Sequence, residues 1–382
     1  MTDSRNGSSR RRFLALGGAA ATGALAGCGF LGNDDTSQVG VTLSDFRGSG
    51  PLVEQRSSPG GTSIQDLPDL SGTLTVYVGG GEGGLYTTLL DLFQQAYSDF
   101  TVDYRVEGSS SLANTIAEEY DAGATQADVF MSVDAGSLGA VAEAGATAAL
   151  PDEALSAVPS SFQDGQGRWV GFAGRARAIP YNSDQLSASD IPSSVQEFPN
   201  TPALQNTMGW APTYGAFQSF ITAMRLNESD QVAREWLQSM LDAGITEYDN
   251  EFAVSNSVAD GELAAGFANH YYSLRVRSAR QNAPLELGFT EGDAGALVNV
   301  SGLEILDGTS NAELAANFVR HVLSSEAQEF FATRTFAYPM VSGVAPVGDL
   351  PRIDDLNPPD IDLTELADVS GTVDLMREAG VL

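Results

Sequence analysis

Two tyrosines stand side by side at Tyr271 and Tyr272, within Asn269-His270-Tyr271-Tyr272-Ser273-Leu274-Arg275. Neighbours on a strand point to opposite faces and cannot share a ligand, whereas at a turn or helix start they converge. Adjacent aromatics can equally be two ordinary packing residues, and spacing alone does not separate these readings. A third tyrosine lies in Trp210-Ala211-Pro212-Thr213-Tyr214-Gly215-Ala216-Phe217-Gln218. That Pro/Gly-bounded stretch predicts a loop before a helix, and helix N-termini favour anions. Gly174-Arg175-Ala176-Arg177 sets two guanidinium groups before a predicted strand over residues 178–181. They fit solvated surface charges as readily as a site.

Other chemistries find little support. There is no Gly-x-Ser-x-Gly elbow and no His-Glu-x-x-His. Two histidines, His270 and His321, are few for a Ser-His-Asp triad. The glycine run at 79–84 lacks the Gly-Lys-Ser/Thr ending of a phosphate loop and the dinucleotide-binding frame. No Asp-x-Asp-x-Asp-Gly loop marks calcium.

The only cysteine, Cys28, belongs to the N-terminal leader. Ser9-Arg10-Arg11-Arg12-Phe13-Leu14 matches the twin-arginine export pattern, and the apolar stretch 13–26 is too short to span a bilayer as a helix. Leu25-Ala26-Gly27-Cys28 looks like a lipoprotein cleavage box, with small residues before the cut and a thiol to carry lipid. Residues 1–27 are therefore expected to be a signal peptide, and Cys28 the lipidation site holding the protein at the extracellular face of the membrane. With no second cysteine, the fold needs no disulfide or thiolate metal site. Residues 28–71 lack sustained periodicity and are rich in Gly, Ser, Asp and Pro, which predicts a flexible tether.

The charge is extreme: 50 acidic residues against 19 basic ones, net −31, and every basic residue is arginine. Such a surface repels nucleic acid and anionic lipid, which excludes both as partners apart from the lipid anchor itself. Acidity spread along the chain resembles that of proteins from salt-loving archaea, where screening removes the mutual repulsion of dense carboxylates.

The elements that must position the tyrosines follow from periodicity. Thr73-Leu74-Thr75-Val76-Tyr77-Val78 predicts a strand, and Leu85, Leu89, Leu92, Phe93 and Tyr97 a helix. Further strands are predicted over 101–106 and 127–132, with a helix over 112–120 between them. Strand and helix in alternation specify an α/β fold with a parallel sheet, and such sheets bind ligands at the carboxyl ends of their strands. Stripes at Val232, Trp236, Leu237, Met240 and Leu241, and at Leu314, Phe318, Val319, Val322 and Leu323, predict core helices. A last helix is expected over 374–379.

Taken together, Leu74-Thr75-Val76-Tyr77, Ala127-Asp128-Val129-Phe130, Gly174-Arg175-Ala176-Arg177, 210–217, Asn269-His270-Tyr271-Tyr272 and Phe336-Ala337-Tyr338-Pro339-Met340 resemble, in order, the ferric-iron-binding proteins of ABC importers. The resemblance covers about 72 to 345, and the paired tyrosines are its most specific part. It implies a periplasmic-binding-protein type II-like fold over 72–382, with two α/β lobes joined by hinge strands around a ligand cleft. Lobe 1 is expected over about 72–175 and 288–382, and lobe 2 over about 176–287. It implies a non-enzymatic carrier that delivers Fe(III), or a small ferric chelate, to an ABC permease and its ATPase, and acts as a monomer. Tyr271, Tyr272 and Tyr214 are the implied ligands, with Glu82 as a hard oxygen donor where many members place a histidine. Arg175 or Arg177 is implied to hold a synergistic carbonate or phosphate anion or to balance the phenolates, with Asn269 beside the site and Asp134 near a position where some members supply a carboxylate. Tyr86 could also reach in, while His270 is expected beside the site. The chemistry is coherent, since ferric ion is hard and prefers anionic oxygen, and a strong Lewis acid displaces the phenolic proton. The same fold could instead take a polyamine, thiamine or an oxyanion, with aromatics as a cation box; an extracellular hydrolase is a further alternative.

Overall fold

β-Branched and aromatic residues fill the first strand of the domain, which is exposed at its start and continuously buried from Val76 to its end. The computed structural model describes residues 40–80 and 85–382. β1 (Gly72–Gly79) is flanked by β2 (Phe100–Glu107) and β3 (Val129–Ser132), and it is parallel to both. Helices Leu85–Ala96 and Ser109–Asp121 make the two crossovers. The predicted stripe of the first helix is buried at Leu89, Leu92, Phe93 and Tyr97. Full burial of a side chain such as Leu89 or Phe93 contributes roughly 1.5–3 kcal/mol.

The rest of the sheet is mixed. After β4 (Thr147–Ala148) comes β5 (Trp169–Asn182), a strand of 14 residues. β6 (Met208–Trp210), β7 (Thr246–Glu247), β8 (Ala265–Gly266), β9 (Ala268–Asn269) and β10 (Leu285–Gly288) follow, then β11 (Val298–Leu306) and β12 (Tyr338–Pro339). The main path runs β2-β1-β3-β11-β5-β8-β6-β7. β5 joins the two halves: residues 169–176 lie antiparallel to β11, while 179–182 lie antiparallel to β10. β11 returns the chain beside it. The two arginines expected ahead of a strand are inside β5. Gly171 and Gly174 of this strand admit close neighbours. A Cβ at Gly174 would meet Met340 Sδ at 3.0 Å and Tyr338 Cβ at 3.1 Å, so glycine is what lets β12 pair there.

Two expected boundaries move. From residue 40 onward the segment read as a tether is packed on the domain: Phe46, Ile64 and Leu70 are buried in its core. Arg47 Nε donates to Glu329 Oε1 at 2.8 Å, and Arg56 donates to both Glu329 oxygens at 2.9 Å. Isolated anchors separated by Gly, Ser and Pro carry no period, so they look like linker. Glu329 is fully buried. Replacing it, Glu329→Ala, leaves two guanidinium groups without their partner and is expected to cost about 3 kcal/mol. Urea unfolding would read that loss, and limited proteolysis would show residues 40–71 cut faster. Unchanged unfolding would show that the clasp does not stabilise the fold.

The C-terminal segment, expected wholly on the first lobe, crosses between halves. Residues Leu363–Ala367 sit on helix Ala135–Glu143, where a Cβ at Gly139 would meet Thr364 Cβ at 2.5 Å. The following helix, Val369–Glu378, packs on helices Gly215–Asn227 and Asp230–Asp242 of the other half. There Thr372 Oγ1 lies 2.7 Å from Thr222 Oγ1 and accepts from Arg225 Nη1 at 2.8 Å.

Candidate metal centre

The tyrosine pair rides on the first turn of helix His270–Ala279, which β9 delivers directly from its pairing with β5. Asn269 is the residue before the helix and lies opposite Arg177 in the β5–β9 register. Helical backbone puts Tyr271 and Tyr272 on adjoining faces, with ring centroids 4.3 Å apart and planes tilted by 45°. Tyr214 is the residue before helix Gly215–Asn227, and its hydroxyl is hydrogen-bonded to that of Tyr272. Three phenols are therefore gathered at the N-termini of two helices, where the partial positive charge of the unpaired N–H groups favours an anion. Burial, with Tyr271 and Tyr214 beside it, pushes the Tyr272 phenol above its usual pKa. The free site is consequently protonated there, and a metal must displace that proton. The Arg275 guanidinium lies over both rings of the pair, 5.1 Å from Tyr271 and 5.6 Å from Tyr272.

Beneath the pair sits a buried polar node. Arg177 is 3% exposed, and its Nη1 pairs with the Glu251 carboxylate and donates to Asn269 Oδ1 at 3.3 Å. The other Glu251 oxygen accepts from Asn269 N at 2.7 Å. The start of the tyrosine helix is thus fastened to the joining strand through one ion pair. Glu251 was missed in the sequence, because Asp-Asn-Glu-Phe reads as an ordinary helix start and its partner lies far away in the chain. Arg175 donates to the Val133 carbonyl. Arg175 Nε and Arg177 Nη2 are buried with no hydrogen-bond partner among the described residues.

Arg175, Arg177, Asn269, Tyr214, Tyr271 and Asp134 line one cleft of about 390 Å³. The Asp134 carboxylate caps helix Ala135–Glu143, accepting from Ser137 N at 2.7 Å and Ser137 Oγ at 3.1 Å. Tyr86 does not reach in: it is buried between Phe172 and Phe331, and its hydroxyl donates to Ser301 Oγ at 2.8 Å. His270 is fully buried beside the pair, its ring nitrogens 3.2 Å from the Ala176 carbonyl and 2.8 Å from that of Phe336. Burial lowers its pKa to about 4, which leaves it neutral at neutral pH. Glu82 and Cys28, like the export signal, lie outside the described residues. Among the described residues no group of three or more His, Cys, Asp or Glu could hold a metal.

Comparison with known proteins points the same way. Residues 88–355 match the family model described as bacterial extracellular solute-binding protein. The chain is 30% identical over 283 residues to the major ferric iron-binding protein of Neisseria meningitidis serogroup B, covering 71% of this chain and 82% of that one. It is 27% identical over 285 residues to the Fe(3+)-binding periplasmic protein of Serratia marcescens, covering 74% and 83%. Among solved structures, iron-bound HitA from Pseudomonas aeruginosa superposes with a TM-score of 0.67 at 29% identity, covering 81% of this chain and 99% of that one.

Proposed function

From the premise that this chain belongs to the bacterial extracellular solute-binding protein family and has its two-lobed type II periplasmic-binding fold, we propose that it captures Fe(III), alone or as a small ferric chelate, outside the cell. It then delivers that cargo to an ABC permease driven by its ATPase. The family is one of non-enzymatic transport components, which removes the hydrolase alternative. The observation that carries the iron reading is the meeting of three phenols: Tyr214 and Tyr271 line the cleft, and Tyr272 touches both, through its hydroxyl to Tyr214 and its ring to Tyr271. Three phenolates match a trivalent, hard cation in charge and in donor type. Because each must lose a proton, acid competes with iron.

Arg175 Nε and Arg177 Nη2 supply two donors for a carbonate- or phosphate-sized anion bound with the metal. Glu82, in the loop after β1, and Asp134 are the candidates for an oxygen donor from the facing lobe. Lipidation at Cys28 after twin-arginine export would hold this carrier, as a monomer, at the outer face of the membrane. The lobes would run over about 40–175 and 288–368, and about 176–287 with 369–382.

An organic cation such as thiamine or a polyamine fits less well. The faces of Tyr271 and Tyr272 that would form a cation box already carry the Arg275 guanidinium. Thermal unfolding separates the ligands. Ferric ion supplied with citrate at neutral pH should raise the Tm, by an amount equivalent to about 2.7 kcal/mol at a hundredfold excess over Kd. Thiamine and spermidine should leave it unchanged. Stabilisation by either of those and none by iron would overturn the proposal.

A further inference from the structure

Helix Glu251–Ala259 places two consecutive residues on opposite sides of one boundary. Glu251 is fully buried and tied to Arg177 and Asn269. Phe252 is turned outward and is 43% exposed. Its ring centroid lies 6.3 Å from that of Tyr272, with the planes tilted by 54°. Single exposed apolar side chains are common on protein surfaces and need no explanation by themselves. Among the described residues the large exposed ones are Tyr104, Val106, Leu226, Phe252 and Leu382. Only Phe252 among them makes a ring contact with a candidate ligand.

The backbone beneath Phe252 is held from both sides. The ion pair fixes residue 251, and the Asn250 side chain accepts from Ala253 N at 2.9 Å. The ring therefore stands on a fastened helical turn. Tyr272 is in ring contact with Tyr214, Tyr271 and Phe252, and Phe252 is the one of the three that is exposed. A metal–phenolate bond at Tyr272 would therefore have an exposed apolar ring beside the tyrosine that makes it. An apolar ring there keeps water away from the bond, and attraction between a phenolate and a trivalent cation is stronger where water is excluded. The surrounding contacts of a tight site act in the same way, by excluding water rather than by adding bonds.

We infer that Phe252 is a rim residue that retains bound iron, slowing its escape from Tyr272 without itself being a ligand. The inference rests on the iron reading of the site. Retention is a dissociation effect, and most affinity differences between related sites reside in the off-rate. The test uses the full chain loaded with ferric ion, with transfer to excess EDTA followed by loss of the visible phenolate–iron band. The parent, Phe252→Ala and Phe252→Trp are compared. Phe252→Ala should lose iron about tenfold faster than the parent, with its band at the parent's wavelength. Phe252→Trp should hold iron at least as long as the parent.

Release from Phe252→Ala within about twofold of the parent would overturn the inference. So would a displaced band, because Phe252 would then shape the ligand set rather than seal it. A parent that takes up no coloured iron removes the iron reading and this inference with it. A coloured parent whose Phe252→Ala variant releases iron at the parent's rate removes the inference alone.

Discussion

Tyr271→Phe and Tyr272→Phe are each expected to abolish iron capture or weaken it by more than about a hundredfold, with Tyr214→Phe weakening it less. Changes one shell out from a metal already cost 10–100-fold, so loss of a direct oxygen donor should exceed that. Phenylalanine keeps the ring, the burial of Tyr271 and the stacking of the pair. What each variant loses is one anionic oxygen, so the fold should persist while the ferric site does not. Tyr214 stands on the neighbouring helix start and is joined to the pair through the Tyr272 hydroxyl. Competition titrations against citrate, with circular dichroism to check folding, would measure the series. If both variants of the pair bind iron as the parent does, the ligand assignment is wrong.

Arg177→Met is expected to destabilise the domain by about 3–5 kcal/mol, because it strands the Glu251 carboxylate in a fully buried position. Removing both charges together, Arg177→Met with Glu251→Leu, should recover much of that loss, since an apolar pair of similar volume can replace a buried ion pair. The coupling between the two sites, read from urea unfolding as a double-mutant cycle, is the quantity to measure. The node also holds the first residue before the tyrosine helix through Asn269 N, so iron affinity should fall in the single variant as well. Additive effects at the two positions would show that the pair does not act as a unit.

Local pattern made part of this molecule legible. The alternation in β1, the stripe from Leu89 to Tyr97 and the loop-to-helix reading at Tyr214 all correspond to elements seen in the structure. Tyr271 and Tyr272 occupy the helix start that convergence requires. Their role as ligands rests on family resemblance and on phenol chemistry, because adjacency alone fits packing equally well. What pattern concealed was long-range. Glycines at 171 and 174 admit close neighbours to β5 that no local pattern announces. Phe46, Arg47 and Arg56 are anchors without a period, and Glu329, the partner that the two arginines share, lies near the other end of the chain. The C-terminal helix shows its amphipathic stripe, but nothing local says which half it covers.

The central claim is that the phenols of Tyr214, Tyr271 and Tyr272 take ferric iron. Its most direct test is the visible absorption spectrum of the purified protein after iron loading at neutral pH, with metal analysis of the same sample. A phenolate-to-iron charge-transfer band together with stoichiometric bound iron is the predicted result. A colourless protein after loading would contradict the account.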